Sequence, residues 1–312
     1  MTYDILHDTI SVSFVRQLLT EQFPEWATFN IEPVSSSGTD NAIFLLSNNL
    51  DNNNTKKMLV RLPNSDQSAR YVEKEHRWVP ILGKSLENHE IPEILAYGKP
   101  SKNYPWNWSV YTWIEGQTAT HERIADLSQF ARSIGKFVAS LQEINSSGGP
   151  LSGEQNSFRG VVLRMRDTET RDAIEKLHTI LGLERETEFD FDRITDIWNK
   201  ALEQPVWDKD PVWLHGDLHT GNILVHNGKL RAVIDFGLMG VGDPACDLMV
   251  AWTLLSPETR AIFRAELSID NATWERGRGW ALSFALIALA YYINSNQELA
   301  RISRYTINQV LY

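Results

Sequence analysis

Residues 212–247, VWLHGDLHTGNILVHNGKLRAVIDFGLMGVGDPACD, govern how the rest of the chain is read. An apolar run, Val212-Trp213-Leu214, delivers His215-Gly216-Asp217, and Asn222 follows just before Ile223-Leu224-Val225. His226-Asn227-Gly228-Lys229 is a polar tip, and a second apolar run ends at Asp235-Phe236-Gly237. A hairpin with an Asn-Gly tip returns the chain to where it left, so Asp217, Asn222 and Asp235 are expected around one point. Two hard oxygen ligands beside a third, free carboxylate suit Mg²⁺ and a hydroxyl that must lose its proton. That chemistry is phosphoryl transfer.

The spacing H-x-D-x-x-x-x-N followed by D-F-G matches the catalytic and metal loops of protein kinases, with Gly216 where those usually carry Arg and with His219 inside the loop. HGDLHTGN, AVIDFG and GVGDPACDL resemble the aminoglycoside and macrolide phosphotransferases and their antibiotic-kinase-like relatives, and weaker similarity runs through most of the chain. The resemblance implies an α+β, two-lobed protein-kinase-like fold. Residues 1–114 would form a small antiparallel-sheet nucleotide-binding lobe with a leading helix, and residues 115–312 a larger, mostly helical lobe for catalysis and substrate binding. It further implies ATP or GTP as donor, Mg²⁺ as cofactor and a small hydroxylated acceptor. Asp217 would accept the hydroxyl proton or orient the nucleophile, Asn222 and Asp235 would hold the metal, and Asp247 would brace the catalytic loop from behind.

Composition sets bounds on the remaining classes. With 312 residues, 42% hydrophobic and 22% charged, the chain can bury a large core. A net charge of −10 argues against nucleic acid or an anionic membrane as partner. The single cysteine, Cys246, excludes an intramolecular disulfide, and no charged-then-apolar leader precedes the first helix-like segment, so a reducing cytoplasm is the expected location. The longest apolar stretch, 280–293, falls short of the roughly 20 residues a bilayer requires and reads as a buried helix.

In the first lobe, residues 9–22 have helical spacing with Thr9 or Ser11 as cap, and strands are expected at 29–34, 42–46 and 58–63. The connecting loop SSSGTDN lacks GxGxxG, but Ser37, Gly38 and Thr39 leave backbone N–H groups able to reach nucleotide phosphates. Arg61 stands where a protein kinase carries its phosphate-binding Lys; its permanent charge and forked donors keep that role. A helix over 67–86, disturbed at Pro80, would supply Glu75 as the partner of Arg61, with Glu73 as competitor. Strands at 91–98 and 108–114 follow. The hinge Tyr111-Thr112-Trp113-Ile114 would read the purine edge through the backbone of Thr112, Trp113 and Ile114, while the bulk of Tyr111 would hamper adenine more than guanine.

In the second lobe, apolar periodicity predicts helices over 128–142, 168–181 and 194–202, one over 247–255, and a tail that is helical throughout 257–312. The region before the catalytic loop mixes acids (Asp167, Glu169, Asp172, Glu175) with bases (Arg164, Arg166, Arg171), so no uniform surface for a cationic substrate stands out. The acceptor stays open between an aminoglycoside- or macrolide-like alcohol and a metabolite such as homoserine, choline or a sugar. A non-catalytic nucleotide-binding chain is the alternative outside enzymes, and the joint presence of Asp217, Asn222 and Asp235 speaks against it. No Ala-Pro-Glu closes an activation loop, which argues against protein as acceptor. Oligomeric state is silent.

Overall fold

The computed structural model describes residues 10–34, 40–51, 54–181 and 188–312. They form two compact units, one of Met1–Glu115 with Ala232–Gly237, the other of Gly116–Arg231 with Leu238–Tyr312.

The first unit is built on α1 (Val12–Gln22), α2 (Asp66–Ser85) and the strands β1 (Asn30–Pro33), β2 (Asn41–Asp51), β3 (Asn54–Pro63), β4 (Ile94–Gly98) and β5 (Trp108–Thr112). The strands make one antiparallel sheet in the order β1-β2-β3-β5-β4. Ser11 starts α1 by accepting a hydrogen bond from Phe14 N–H, and Val15, Leu18 and Leu19 join Met58, Val60, Leu62 and Trp108 in the core. Because side chains alternate along a strand, burying Met58, Val60 and Leu62 on one face sends Arg61 to the other. Glu75 lies there, in the buried stripe of α2 that also carries Tyr71, Val72 and Val79.

Two expectations change here. Helix α2 runs through Pro80 without a break; Pro80 is on the exposed side, where water can take up the His76 carbonyl that loses its N–H partner. Strand β4 starts only at Ile94, since Pro92 cannot donate to a ladder, and β5 ends at Thr112.

His76 introduces an acid sensitivity into this unit. Its Nε2 lies 2.9 Å from Ser109 Oγ and its ring 4.3 Å from that of Tyr97. Burial, with Lys99 adding to it, pushes the imidazole down to about 4. As pH falls from the unfolded value of about 6.5 towards 4, the unfolded chain binds a proton that the folded unit refuses, so stability is lost across that window. His76→Gln can keep the Ser109 contact without titrating, and its urea midpoint should drop less than wild type between pH 7 and pH 5. Equal drops would exclude His76 as the cause.

The second unit is mainly helical. It comprises β6 (Gln117–Thr118), α3 (Leu127–Glu143), α4 (Asp167–Leu181), α5 (Phe191–Leu202), β7 (Val212–Leu214), β8 (Ile223–His226), β9 (Lys229–Val233), β10 (Gly240–Gly242), α6 (Val250–Thr253), α7 (Pro257–Ala265), α8 (Asn271–Tyr292) and α9 (Gln297–Leu311), with the last residues of β9 counted in the first unit. Helix α8 is buried along most of its length and packs on α4, α5 and α9, which accounts for its lack of a polar face. The β8–β9 turn is Asn227-Gly228, both at positive φ (50° and 77°), the backbone a two-residue hairpin needs.

The tail is not helical throughout. It breaks twice, where Asp270 caps α8 and Asn296 caps α9. Nor is 247–255 one helix: Pro244–Met249 is a 3-10 turn begun by Asp243, and only Val250–Thr253 is α-helical. The tighter winding turns Asp247 back towards the loop after β7. Among the described residues no helix is long and apolar enough to cross a membrane. An N-terminal antiparallel sheet and a C-terminal helical bundle make this the bilobal protein-kinase-like architecture.

Candidate active site

In the first unit the sheet and α2 assemble a charged cluster on Arg61. Its Nη1 donates to both Glu75 oxygens at 2.8 and 3.0 Å, and its Nη2 donates to Asp235 Oδ1 at 2.8 Å. With its amide turned, Asn41 accepts from Nε at 3.1 Å and from Nη2 at 3.0 Å. Burial alone would weaken the Arg61 charge; Asp235 and Glu75 outweigh it and hold the guanidinium firmly protonated. Glu73 instead accepts from Asn107 Nδ2. Asp235 has φ of 64°, a strained value for a non-glycine residue, and its side chain is 43% exposed. Gly237 N–H and Arg61 both approach Oδ1, and among the described residues Oδ2 accepts no hydrogen bond.

Tyr111 is buried on β5, in register with Leu59 and Ile94. The Thr112 N–H donates to Glu93 O at 2.9 Å and the Thr112 hydroxyl accepts from Glu93 N–H at 3.0 Å. That N–H is therefore engaged within the protein, whereas Trp113 and Ile114 lie past the end of the strand. Ser37, Gly38 and Thr39 lie outside the described residues.

In the second unit β7 ends at Leu214 and the chain turns through the buried His215. Asp247 Oδ2 accepts from His215 N–H at 2.6 Å and Oδ1 from Gly216 N–H at 2.8 Å, so a fully buried carboxylate braces the turn. Gly216 has φ of 83°, and a Cβ there would sit 2.2 Å from the Leu238 carbonyl oxygen. This is the reason for glycine where protein kinases carry Arg. Gly216→Ala should destabilise the fold by more than the roughly 1–2 kcal/mol of a left-handed non-glycine residue, since backbone must also move. Denaturant titration measures it, and an unchanged midpoint would contradict the close approach.

The turn presents Asp217. Asn222 Nδ2 donates to the Asp217 carbonyl at 2.9 Å and to its Oδ2 at 3.1 Å. His219 Nδ1 accepts from Gly221 N–H at 3.1 Å, which leaves the ring proton on Nε2, 3.4 Å from Asp217 Oδ2. Arg159 Nη2 lies 3.6 Å from Oδ1. Burial would raise the Asp217 carboxyl, but His219, then Arg159 and His215, prevail and hold it well below the usual carboxylate range. So strongly ionised a carboxylate is a weak base. It suits aligning a hydroxyl whose proton leaves late, as in a loose phosphoryl-transfer transition state.

Sequence reading missed Arg159 and Phe284. Phe284, on α8, lies 5.6 Å by ring centroid from His219 and 5.6 Å from the Arg159 guanidinium. The loop carrying Arg159 is closed by Asn156, whose oxygen accepts from Gly153 N–H and whose amide donates to the Arg159 carbonyl. Ser157 and Phe158 take positive φ of 52° and 58° beside Gly160 at 76°. The only signal in sequence was a run of turn formers, Gly-Gly-Pro-Leu-Ser-Gly, leading to an isolated Arg.

Each unit supplies a hard oxygen of the type that suits a divalent cation. In the second unit Asn222 commits its Nδ2 to Asp217, which leaves its Oδ1 uncommitted, and in the first unit Asp235 leaves its Oδ2 uncommitted. Among the described residues no three His, Cys, Asp or Glu side chains form a ready-made cage. Mg²⁺ needs none where phosphate oxygens complete its shell.

A family profile described as the phosphotransferase enzyme family matches residues 31–280. An aminoglycoside 3′-phosphotransferase from Escherichia coli is 37% identical over 75 residues, which are 21% of this chain and 27% of that protein. The chain therefore matches about a quarter of that curated relative's length. Among solved structures, the GDP complex of wild-type aminoglycoside 2′-phosphotransferase-IIIa aligns with a TM-score of 0.70 at 18% identity, covering 95% of this chain and 97% of that one. A macrolide 2′-phosphotransferase from Brachybacterium faecium, as apoenzyme, aligns with a TM-score of 0.59 at 16% identity, covering 95% and 98%. These likenesses carry the fold.

Proposed function

The chain belongs to the phosphotransferase enzyme family, and from that premise we propose that it transfers the γ-phosphoryl group of ATP or GTP to a hydroxyl of a small molecule. The observation that carries the proposal is Asp217, an ionised carboxylate presented by a braced turn and gripped by Asn222. Asp217 orients the acceptor hydroxyl and takes its proton as the new bond forms. Asn222 Oδ1 and Asp235 Oδ2 are the proposed ligands of Mg²⁺, which when bound draws charge from the phosphate oxygens. Arg61, set by Glu75, offsets charge on the α/β-phosphates; Ser37, Gly38 and Thr39 give backbone N–H groups to the phosphates. Thr112 through its carbonyl, with the backbone of Trp113 and Ile114, reads the base. Residues 1–114 serve nucleotide and residues 115–312 catalysis and acceptor, in a cytoplasmic setting.

For the acceptor, the relatives' names make an aminoglycoside- or macrolide-like alcohol the first class to assay. A metabolite alcohol is the second reading, favoured by the guanidinium of Arg159 beside Asp217. The test is γ-phosphate transfer from ATP and from GTP, with and without Mg²⁺, to aminoglycosides, macrolides and small hydroxylated metabolites. A Mg²⁺-dependent phosphorylated product is expected; neither transfer nor nucleotide hydrolysis would leave only a nucleotide-binding chain. In the same assay Tyr111→Ala should shift use towards ATP. An unchanged ATP to GTP ratio would remove Tyr111 as a selector.

A further inference from the structure

We infer that the acceptor carries an anionic oxygen group, a carboxylate or a phosphate, beside the hydroxyl that is phosphorylated, and that Arg159 recognises it. The inference rests on the kinase reading, because it takes Asp217 as the partner of that hydroxyl.

The Arg159 guanidinium has an ion pair and a ring contact but no hydrogen-bond acceptor of its own among the described residues. The Arg159 side chain is only 13% exposed. Its Nε is shut off from solvent without a hydrogen bond. The 3.6 Å approach to Asp217 is an ion pair too long for a hydrogen bond. Among the described residues no acceptor takes a hydrogen bond from the Arg159 side chain, whose backbone N–H alone is engaged, with the Asn156 carbonyl. A largely buried guanidinium in that condition is costly unless something else binds it, and a forked donor of this kind matches carboxylate or phosphate oxygens.

The group is also held in place. Phe284 supports it by a cation–π contact at 5.6 Å. The consecutive left-handed residues Ser157 and Phe158 fix the loop behind it, a strain that such sites can retain. Arg159 is thereby kept at a distance from Asp217 that a substrate oxyanion can exploit.

Local charge points the same way. The chain carries −10, yet beside Asp217 stands Arg159, and Arg166 is close enough that Arg159, after burial, helps depress it to about 10. Arg166 is itself engaged, with Ser283 Oγ at 3.0 Å, the Trp280 face at 5.1 Å and Glu169 at 3.5 Å. A polycationic acceptor would need carboxylates here. The two that follow the metal loop are buried and engaged, Asp243 with Arg276 at 2.9 Å and Asp247 with His215 and Gly216 N–H.

The test compares glycerol, glycerate, glycerol 3-phosphate and kanamycin as ligands of the nucleotide-saturated protein by calorimetry, and as acceptors with Mg²⁺ and ATP or GTP. At least one anionic probe should bind at least about 10-fold tighter than glycerol, the scale of one hydrogen bond to a charged group. Which of the two leads tells carboxylate from phosphate. Arg159→Gln should erase that preference while nucleotide affinity stays within about 2-fold, and Arg159→Lys should retain part of it. The inference is overturned if neither anion outbinds glycerol, if kanamycin binds best, or if the preference survives in Arg159→Gln. Arg159-dependent anion binding without transfer to any hydroxyl would instead remove the kinase reading, and phosphorylated kanamycin would keep that reading and remove this one.

Discussion

Asp217→Asn is expected to bind nucleotide within about 2-fold of wild type and to transfer phosphate at least about 10²-fold more slowly, the scale of a missing general base. The amide has the shape of the carboxylate and can still accept from Asn222 Nδ2, so the loop should stand. What disappears is the charge that aligns the hydroxyl and receives its proton. His219 and Arg159 hold Asp217 ionised well below the usual carboxylate range, burial notwithstanding, so it stays charged from neutral pH to below about pH 4. The wild-type rate should therefore show no Asp217-linked fall across that window while the protein remains folded. An Asp217→Asn enzyme with unaltered turnover would take the residue out of the mechanism.

The second large effect is structural. Asp247→Ala removes the acceptor of two buried N–H groups, and each orphaned group costs about 1–3 kcal/mol. Burial pushes the Asp247 carboxyl up, so removing it also relieves some desolvation. We expect a net loss of about 3 kcal/mol in denaturant titration, on the scale of breaking a buried polar contact. Transfer should fall with it, because the turn that aims Asp217 loses its brace. Asp247→Asn keeps one acceptor oxygen and should retain part of both. Wild-type stability in Asp247→Ala would show that the contact does not hold the loop.

Much of the architecture was legible because local chemistry dictates it. Asn227-Gly228 has few alternatives to a tight hairpin, Ser11 and the apolar spacing after it specify α1, and a strand that buries Met58, Val60 and Leu62 must turn Arg61 to the opposite face. The fold class followed from the family resemblance that the motifs carry. Where reading along the chain failed, the outcome depended on surroundings. Pro80 is tolerated because its side of α2 faces water, and Asp247 winds a 3-10 turn because its acceptors' donors lie after β7.

By itself the sequence determined a kinase-like order of oxygen donors along a hairpin, because that order is a property of neighbouring positions. Only the tertiary structure decided what surrounds Asp217. Arg159 reaches it from a distant loop and Phe284 from the middle of a helix that reads as plain core, and periodicity carries no information on such contacts. The electrostatic environment of a carboxylate falls off over a few ångströms in space, not along the chain, so the charge that sets its state became visible only once the chain was folded.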